Sequence, residues 1–506
     1  MPDIVGSFGD LLGGFGSALT WQNLLFALLG CILGTMVGVL PGIGPSTTVA
    51  LLIPVAFTMA PDSTLIMMAG VYLGAMYGGS LTSVLLKVPG EAASAMTAID
   101  GFEMAKQGRA GPALAIAAIG SFVGGTLSVV ALTLFAPVIA HYALAFGPVE
   151  YFSLMAAALL FSSVLLGGNL LKGLSSIVLG LLVAVIGTDL QTGVPRLTFG
   201  SNAMLDGVDI VVLLMGLFGV GEVLWFLAHK EPDSERLALR GRLWPSRSDW
   251  RRSWPAIGRS SVIGFLVGVL PGSGSTLGAA LGYSIEKRVS KRSDEFGKGA
   301  VEGVAAPETA NNAATGGALV PMLTLGVPGS GTTAVLLAVF TIYGIQPGPR
   351  LMEQHGDVVW VIIASLYISN VILLLLNLPL IRVFVRILDI PVRFLMPLVL
   401  AVAAIGAYSV NNNIADVILL FVFGLVGYVL RVVGIPIVPF VLAAVLAPMM
   451  EQSLRQAMLI SNGSWTPFVT HPISAVFLAA GLFAVGWDIV RSRTKGRRTK
   501  PIAEDE

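Results

Sequence analysis

Cysteine is almost absent from this sequence. The 506 residues include one cysteine, Cys31, which lies in an apolar run and so excludes a disulfide framework. A single thiol also argues against a thiolate metal site. The four histidines are scattered without ligand spacing: His141, His229, His355 and His471. We therefore expect no resident cofactor.

Charge is scarce as well. Charged side chains make up 12% of the residues, against roughly 25% in an average soluble protein. Apolar residues make up 55%. Long apolar runs recur at 111–140, 150–166, 170–187, 207–228, 357–381, 394–410, 414–430 and 470–486. Because a helix needs about 20 apolar residues to cross a bilayer, the sequence predicts an all-α polytopic membrane protein, with about 11–12 spans plus re-entrant hairpins.

The distribution of charge excludes two further classes. A formal net charge of +1 gives no reason to expect a nucleic-acid partner. No lysine or arginine precedes Lys87, so the basic segment of a cleavable signal peptide is missing. We expect the first apolar segments to direct insertion into the lipid bilayer.

A repeated motif divides the chain. Residues 34–45 (GTMVGVLPGIGP) and 264–275 (GFLVGVLPGSGS) are identical at eight of twelve positions. A second Pro–Gly pair follows each copy, in LKVPGEAAS at 86–94 and LGVPGSGTT at 325–333. The order of elements is the same in both halves, which predicts a duplicated unit.

Basic residues indicate the orientation of the two copies. Lysine and arginine cluster on both flanks of the second motif, at 230–259 and 287–298, and are absent before Lys87. Since cytoplasmic loops are rich in these residues, the two motifs should enter the membrane from opposite faces, as inverted repeats. A full span over 22–40 is the alternative, and it would move the N-terminus to the other face.

The predicted organisation follows from this orientation. The first repeat (1–229) has a hairpin near 24–60 and a broken helix near 64–104. A cytoplasmic basic linker (230–259) leads to the second repeat (260–450), which has a hairpin near 260–286 and a broken helix near 314–345. An extra span (451–490) and a cytoplasmic tail (491–506) follow.

Four Pro–Gly breaks predict an anion site. Proline lacks the N–H, and glycine admits open backbone conformations, so a helix breaks there. The half-helix that follows would aim free N–H groups and its positive dipole end at an anion. A single Pro–Gly pair could instead be a kink. The candidate residues are Pro41, Gly42, Gly44, Ser46, Thr47, Pro89, Gly90, Ser94, Pro271, Gly272, Gly274, Ser275, Thr276, Pro328, Gly329, Ser330 and Thr332.

Ionisable and amide side chains beside the breaks suggest coupling to a cation. The candidates are Lys87, Glu91, Glu308, Asn311 and Asn312. Oxygen ligands and unwound carbonyls suit Na⁺, with candidate positions near Gly42, Gly272 and Asn312, whereas Glu308 alone could carry a proton. The alternative is that Glu302 and Glu308 are solvated at the interface. Asp100, Glu103, Lys106 and Arg109 are expected in a solvated cytoplasmic turn.

The sequence resembles the large membrane subunit of the tripartite tricarboxylate transporter family. The resemblance rests on segments in both halves: GVLPGIGPSTTVALLIP (38–54), KVPGEAASAMTAIDGFEMAKQGRAGPAL (87–114), GVLPGSGSTLGAALGY (268–283), APETANNAATGGALVPMLTLGVPGSG (306–331) and GIQPGP (344–349). It implies a system of the bacterial inner membrane, in which the basic tail at 491–498 places the C-terminus of this multi-pass chain in the cytoplasm. It also implies a small membrane subunit and a periplasmic solute-binding protein as partners, and secondary transport of di- or tricarboxylates driven by a Na⁺ or proton gradient.

Other classes are less well supported. GVLPGIGPST lacks the lysine of a phosphate-binding loop, so an ATP-driven system would need a separate motor subunit. A membrane hydrolase would need a nucleophile elbow or a metal motif, neither of which occurs, so we expect no enzyme. A passive anion channel stays open as an alternative.

Overall fold

The chain folds almost entirely into helices. The computed structural model describes residues 4–40, 44–166, 169–189, 191–229, 237, 239, 242–272, 274–387 and 395–496. Nine helical segments in this part of the chain are long and apolar enough to cross a bilayer: Trp21–Gly38, Pro61–Leu86, Ala110–Ala143, Pro148–Leu165, Ile210–Ala228, Gly356–Asn377, Ile414–Val433, Ile437–Ile460 and Pro472–Arg491. The predicted all-α polytopic class is confirmed.

The N-terminal half contains ten α-helices within the described residues. They are α1 (Ile4–Ala18), α2 (Trp21–Gly38), α3 (Pro45–Ala56), α4 (Pro61–Leu86), α5 (Ala95–Lys106), α6 (Ala110–Ala143), α7 (Pro148–Leu166), α8 (Leu170–Ala184), α9 (Ile210–Leu214) and α10 (Gly221–Ala228). A π-helical turn, Met215–Val220, joins α9 to α10. Short 3₁₀ segments lie at Ala92–Ser94 and Asn202–Met204, and strands β1 (Gly187–Thr188) and β2 (Pro195–Arg196) pair antiparallel.

The C-terminal half continues the series. It contains α11 (Arg247–Val269), α12 (Gly274–Val289), α13 (Glu302–Leu325), α14 (Gly331–Ile342), α15 (Leu351–Gln354), α16 (Gly356–Asn377), α17 (Ile381–Ile387), α18 (Leu395–Asn411), α19 (Ile414–Val433), α20 (Ile437–Ile460), α21 (Thr466–Thr470) and α22 (Pro472–Gly496). A 3₁₀ segment, Ser293–Glu295, precedes α13.

Helices end and restart around the Pro–Gly pairs. α4 stops at Leu86 and α13 stops at Leu325, and each is followed by irregular backbone and a new helical segment. α11 and α12 are separated only by residues 270–273. At the first motif, α2 ends at Gly38 and α3 begins at Pro45, while the predicted site residues Pro41 and Gly42 lie outside the described residues.

Glycines hold each hairpin against its own broken helix. On α2, a Cβ added at Gly34 or Gly38 would meet the backbone of α4 at a distance under 3.0 Å. On α11, a Cβ at Gly264 or Gly268 would meet the backbone of α13 in the same way. These four glycines occupy matching positions of the repeated motif. Small residues at such contacts let membrane helices approach closely, which accounts for much of the glycine in the motif.

The chain forms two compact units. The first unit comprises residues Met1–Leu144 and Val208–Val429, and it contains both copies of the repeated motif and both of the Pro–Gly pairs that follow them. The second unit comprises residues 145–207 and 430–506, and it is built mainly from α7, α8, α20 and α22. The predicted division into two inverted repeats concerns symmetry rather than packing, and it stays a prediction.

Candidate functional site

Buried polar side chains from the two broken helices meet inside the first unit. We call Glu91, Thr97, Ser121, Glu308, Asn311 and Asn312 the carboxylate cluster. The Asn311 amide nitrogen donates to Glu91 Oε1 at 2.8 Å. The Thr97 hydroxyl donates to Glu308 Oε1 at 2.6 Å, and the Ser121 hydroxyl contacts Glu308 Oε2 at 3.4 Å. The cluster thus joins the segment after α4 to the middle of α13.

The cluster is buried and rich in acceptors. Glu308, Asn311 and Asn312 are fully buried, and Glu91 is 8% exposed. The side-chain oxygens of Asn311 and Asn312 have no hydrogen-bond partner among the described residues. Asn312 instead donates from its amide nitrogen, to Ser121 Oγ at 2.8 Å and to the Glu308 carbonyl at 3.2 Å. Buried acceptors without donors are uncommon in folded proteins, and each one needs an explanation from its surroundings.

Helix geometry explains this placement. Glu308 and Asn312 are four residues apart on α13, so they share one face of the helix. Gly79 on α4 leaves room for Glu91, because a Cβ at Gly79 would lie 2.8 Å from Glu91 Cγ. On α6, Gly120 brings that helix against Thr309, and Ser121 next to it reaches the cluster.

The first hairpin also contacts the second broken helix. Ser46 on α3 hydrogen-bonds Thr332 on α14, with 2.9 Å between the hydroxyl oxygens. Tyr72 on α4 approaches Ser330, with 3.4 Å between their hydroxyl oxygens. The structure therefore brings together hydroxyl groups that the sequence placed in separate halves.

Several of these hydroxyls also serve the local backbone. Ser330 is the N-cap of α14, and its hydroxyl accepts from the Thr333 N–H at 3.2 Å. Thr47, in contrast, donates to a distant backbone group, the Phe218 carbonyl, at 3.3 Å. Ser94 donates to the Glu91 carbonyl at 2.9 Å. Capping of helices at the Pro–Gly kinks therefore accounts for part of the hydrogen bonding of these side chains.

The second hairpin tip depends on glycine. Gly272 and Gly274 have φ angles of 75° and 62°, a left-handed backbone that glycine adopts without strain. The Gly272 N–H donates to the carbonyl of Gly329 at 3.0 Å, so this tip touches the break after α13. Pro271 and Pro328 lie beside these glycines. Ser275 and Thr276 lie in the first turn of α12.

The remaining candidates lie around the first break. Gly90 packs against the end of α2, where an added Cβ would meet the Gly38 carbonyl. Pro89 is half-buried beside it, and Gly44 is the N-cap of α3. Lys87 is exposed, and its Nζ lies 5.7 Å from the centre of the Phe102 ring. Lys87 is therefore held at the surface, apart from the carboxylate cluster.

One sequence-based expectation and one sequence-based alternative are wrong. Asp100 is fully buried rather than solvated. Its Oδ1 accepts from the backbone N–H groups of Gly297, Gly299 and Ala300 at 2.8–2.9 Å, and its Oδ2 accepts from the Tyr283 hydroxyl at 2.9 Å. The second concerns Glu308, which is buried within α13 and is not a wet interfacial residue.

Ion pairs surround the start of α11. Arg252 pairs with Glu302 at 2.7 Å and with Glu295 at 2.6 Å. Asp249 pairs with Arg109 at 2.5 Å. Burial would raise the pKa of Asp249, but hydrogen bonds from Ser246 and the charge of Arg109 outweigh it and hold that pKa below its ordinary value. Glu302 is thus a buried carboxylate paired with an arginine, and Glu308 lies about 9 Å further along the helix at 1.5 Å per residue.

A family comparison is consistent with this arrangement. Residues 24–442 match the model of the tripartite tricarboxylate transporter TctA family. The chain belongs to this family. The match spans both hairpins, both broken helices and the whole carboxylate cluster. This member is accordingly a multi-pass membrane component of a transporter, as the sequence predicted.

Two relatives from Agrobacterium vitis extend the comparison. An uncharacterized 52.8 kDa protein in the TAR-I ttuC′ 3′ region is 44% identical over 506 residues, covering all of both chains. An uncharacterized protein in the TAR-II ttuC′ 3′ region is 46% identical over 243 residues, which is 48% of this chain and all of the relative. No solved structure matches significantly.

Proposed function

We propose that this chain is the transport subunit of a binding-protein-dependent secondary transporter that imports small organic anions, either di- or tricarboxylates. The family supports transport, and one structural observation supports ion coupling: a buried cluster with two carboxylates joins the two broken helices. An ionisable residue buried in a membrane protein is costly, and it usually marks a pathway for ions or protons.

The substrate site in this proposal lies between the hairpin tips and the breaks. Ser46 and Thr332 supply hydroxyls where the first hairpin meets α14. Gly272 and Gly329 bring the second tip to the break after α13. Hydroxyls, backbone N–H groups and helix N-termini would bind the carboxylates of the substrate without a fixed positive side chain. A Na⁺ or proton gradient would drive uptake, with the cation bound in or near the carboxylate cluster.

The partners and location are also proposed. A periplasmic solute-binding protein would deliver the anion, and a small membrane subunit would complete the complex. The charged residues around the start of α11 support a cytoplasmic location for that end, because cytoplasmic loops are rich in lysine and arginine. The protein would then lie in the bacterial inner membrane with its C-terminal tail in the cytoplasm.

A reconstituted uptake assay tests this function. Proteoliposomes would hold this chain and its small membrane partner, with the cognate binding protein outside and labelled mono-, di- and tricarboxylates as candidate substrates. We expect uptake of one carboxylate that needs both the binding protein and an imposed Na⁺ or proton gradient. Equilibration without any gradient would indicate a passive channel instead. Uptake only with ATP and a further subunit would indicate an ATP-driven permease.

A further inference from the structure

The contact between Glu91 and Asn311 leaves one hydrogen-bonding atom of the asparagine amide without a partner among the described residues. Asn311 donates from its amide nitrogen to Glu91 Oε1 at 2.8 Å, yet its amide oxygen has no partner among the described residues. Both side chains are at least nine-tenths buried. A primary amide carries its nitrogen and oxygen on one carbon, so the unpartnered oxygen lies on the same group that contacts Glu91.

Chemistry indicates what would complete this contact. An ionised carboxylate has only acceptor oxygens, so it has no hydrogen to offer the unpartnered oxygen of Asn311. A protonated carboxyl carries one O–H donor beside one acceptor. It can therefore pair with a primary amide through two hydrogen bonds that close a ring, N–H to carbonyl and O–H to carbonyl. Protonation of Glu91 would satisfy the oxygen of Asn311.

The charges around Glu91 also favour its neutral form. The groups that face it from adjoining elements are Glu308 on α13 and Tyr72 on α4. On α12, Tyr283 donates to Asp100, and Glu286 forms an ion pair with Arg259, so Arg259 is already paired with another carboxylate. Among the described residues no lysine or arginine contacts Glu91 or Glu308. Two unpaired negative charges in a buried cluster are very costly, so at least one is expected to be neutral.

Glu308 differs from Glu91 in its donors. The hydroxyls of Thr97 and Ser121 face its two oxygens at 2.6 and 3.4 Å, an arrangement suited to the ionised form. Its negative charge then favours proton binding at Glu91 rather than loss of the proton. The two carboxylates therefore have separate roles.

We propose that Glu91 is the proton-binding residue of the transport cycle, with Asn311 as the amide that pairs with its protonated form. This inference rests on the proposed function and specifies its coupling ion. One proton from water binds Glu91 Oε2 and changes that side chain from −1 to neutral. The same proton returns to water on the other side of the membrane, so charge and atoms balance over a cycle.

An isosteric swap tests the pair. Glu91→Gln keeps the shape and can form an amide–amide ring with Asn311, but it cannot titrate. The double variant Glu91→Gln, Asn311→Asp moves the carboxyl to the other helix and restores an acid–amide pair. Glu103→Gln is the matched control, because it alters a partly exposed acid on α5 that pairs with Lys106 and not with the carboxylate cluster.

Infrared spectroscopy of the purified full chain gives a readout that does not require transport. We expect the carbonyl stretch of a protonated carboxyl in the wild type, its loss in Glu91→Gln and its return in the double variant. An unchanged band in Glu91→Gln would overturn the proposal. The infrared measurement does not depend on transport of a carboxylate. Failure of the proposal about Glu91 can therefore be distinguished from failure of the proposed function.

Uptake in proteoliposomes gives the second readout. With one coupled proton, each pH unit of imposed gradient should raise the accumulation ratio about tenfold, because one pH unit is about 1.36 kcal/mol. We expect Glu91→Gln to lose this response, the double variant to regain it and Glu103→Gln to keep it. A full response to the pH gradient in Glu91→Gln would contradict the proposal, as would uptake driven by Na⁺ alone.

Discussion

Replacing Gly268 by alanine should separate the second hairpin from the helix that carries Glu308. Gly268 lies on α11, and an added Cβ would stand under 3.0 Å from backbone atoms of Ala314 on α13. Atoms of this kind essentially never come so close, and backbone cannot rotate away as a side chain can. The two helices would have to move apart by several tenths of an ångström or more.

The size of the effect follows from overpacking. Forcing an extra carbon into a packed interior typically costs about 1–3 kcal/mol of unfolding free energy. Gly258 offers a matched control on the same helix, because it is exposed and a Cβ there would meet nothing within 4 Å. Alanine at that position should be neutral or stabilising by up to about 1 kcal/mol, from its better helix propensity.

Reversible unfolding of the purified protein, followed by circular dichroism, would compare the two variants with the wild type. We expect Gly268→Ala to unfold at a lower denaturant concentration and Gly258→Ala to unfold at the wild-type concentration or above. Equal stability of the two variants would refute the argument from backbone contact. Destabilisation of both to the same extent would show instead that α11 as a whole does not tolerate alanine.

Three further predictions concern other parts of the chain. Asp100→Asn should lower the unfolding free energy by about 2 kcal/mol in the same assay, since hydrogen bonds to a charged group contribute about 1.5–3 kcal/mol; an unchanged value would contradict the role of Asp100 as an acceptor for residues 297–300. A hydrogen bond from Arg455 holds the pKa of Asp189 well below its ordinary value, so the stability that it contributes is present above the unfolded value of about 3.9 and is lost as pH falls. The thermal midpoints of wild type and Asp189→Asn should therefore differ at pH 7 and approach each other as pH falls below about 4, closing only below the lowered pKa of folded Asp189. A gap that does not narrow below about pH 4 would refute the linkage. Gly272→Val should abolish uptake while the protein still inserts, because a left-handed φ costs a non-glycine residue about 1–2 kcal/mol and more when it is β-branched; retained uptake would exclude this tip from the site.

The class of fold and the helix breaks could be predicted because they depend on local chemistry. Scarce charge and long apolar runs specify membrane helices, and the Pro–Gly pairs at 89–90, 271–272 and 328–329 each lie between two helical segments. The repeated VGVLPG also predicted that the two hairpins would be built alike. Their glycines do pack alike, against α4 and against α13.

Contacts between segments that are far apart in the sequence could not be predicted. Asp100 sits beside other polar residues on a short helix, and that pattern indicates a solvated turn. Its partners are backbone N–H groups of residues 297–300, almost 200 positions away. Because every residue type except proline has such a group, the sequence does not reveal which of them donate to Asp100. The pairing of Glu91 with Asn311 is equally distant. The role of Ser121 in the carboxylate cluster was not predicted, because this serine lies in an apolar run that is typical of an ordinary membrane span.

The most direct test of gradient-driven transport is the steady-state ratio of substrate inside and outside proteoliposomes, measured without ATP before and after an ionophore. Our account predicts that the carboxylate accumulates to a ratio well above one while the cation gradient stands, and that the ratio falls to one when the ionophore removes the gradient. A ratio that stays at one throughout would show a passive channel. Accumulation that survives the ionophore would show that the energy comes from another source.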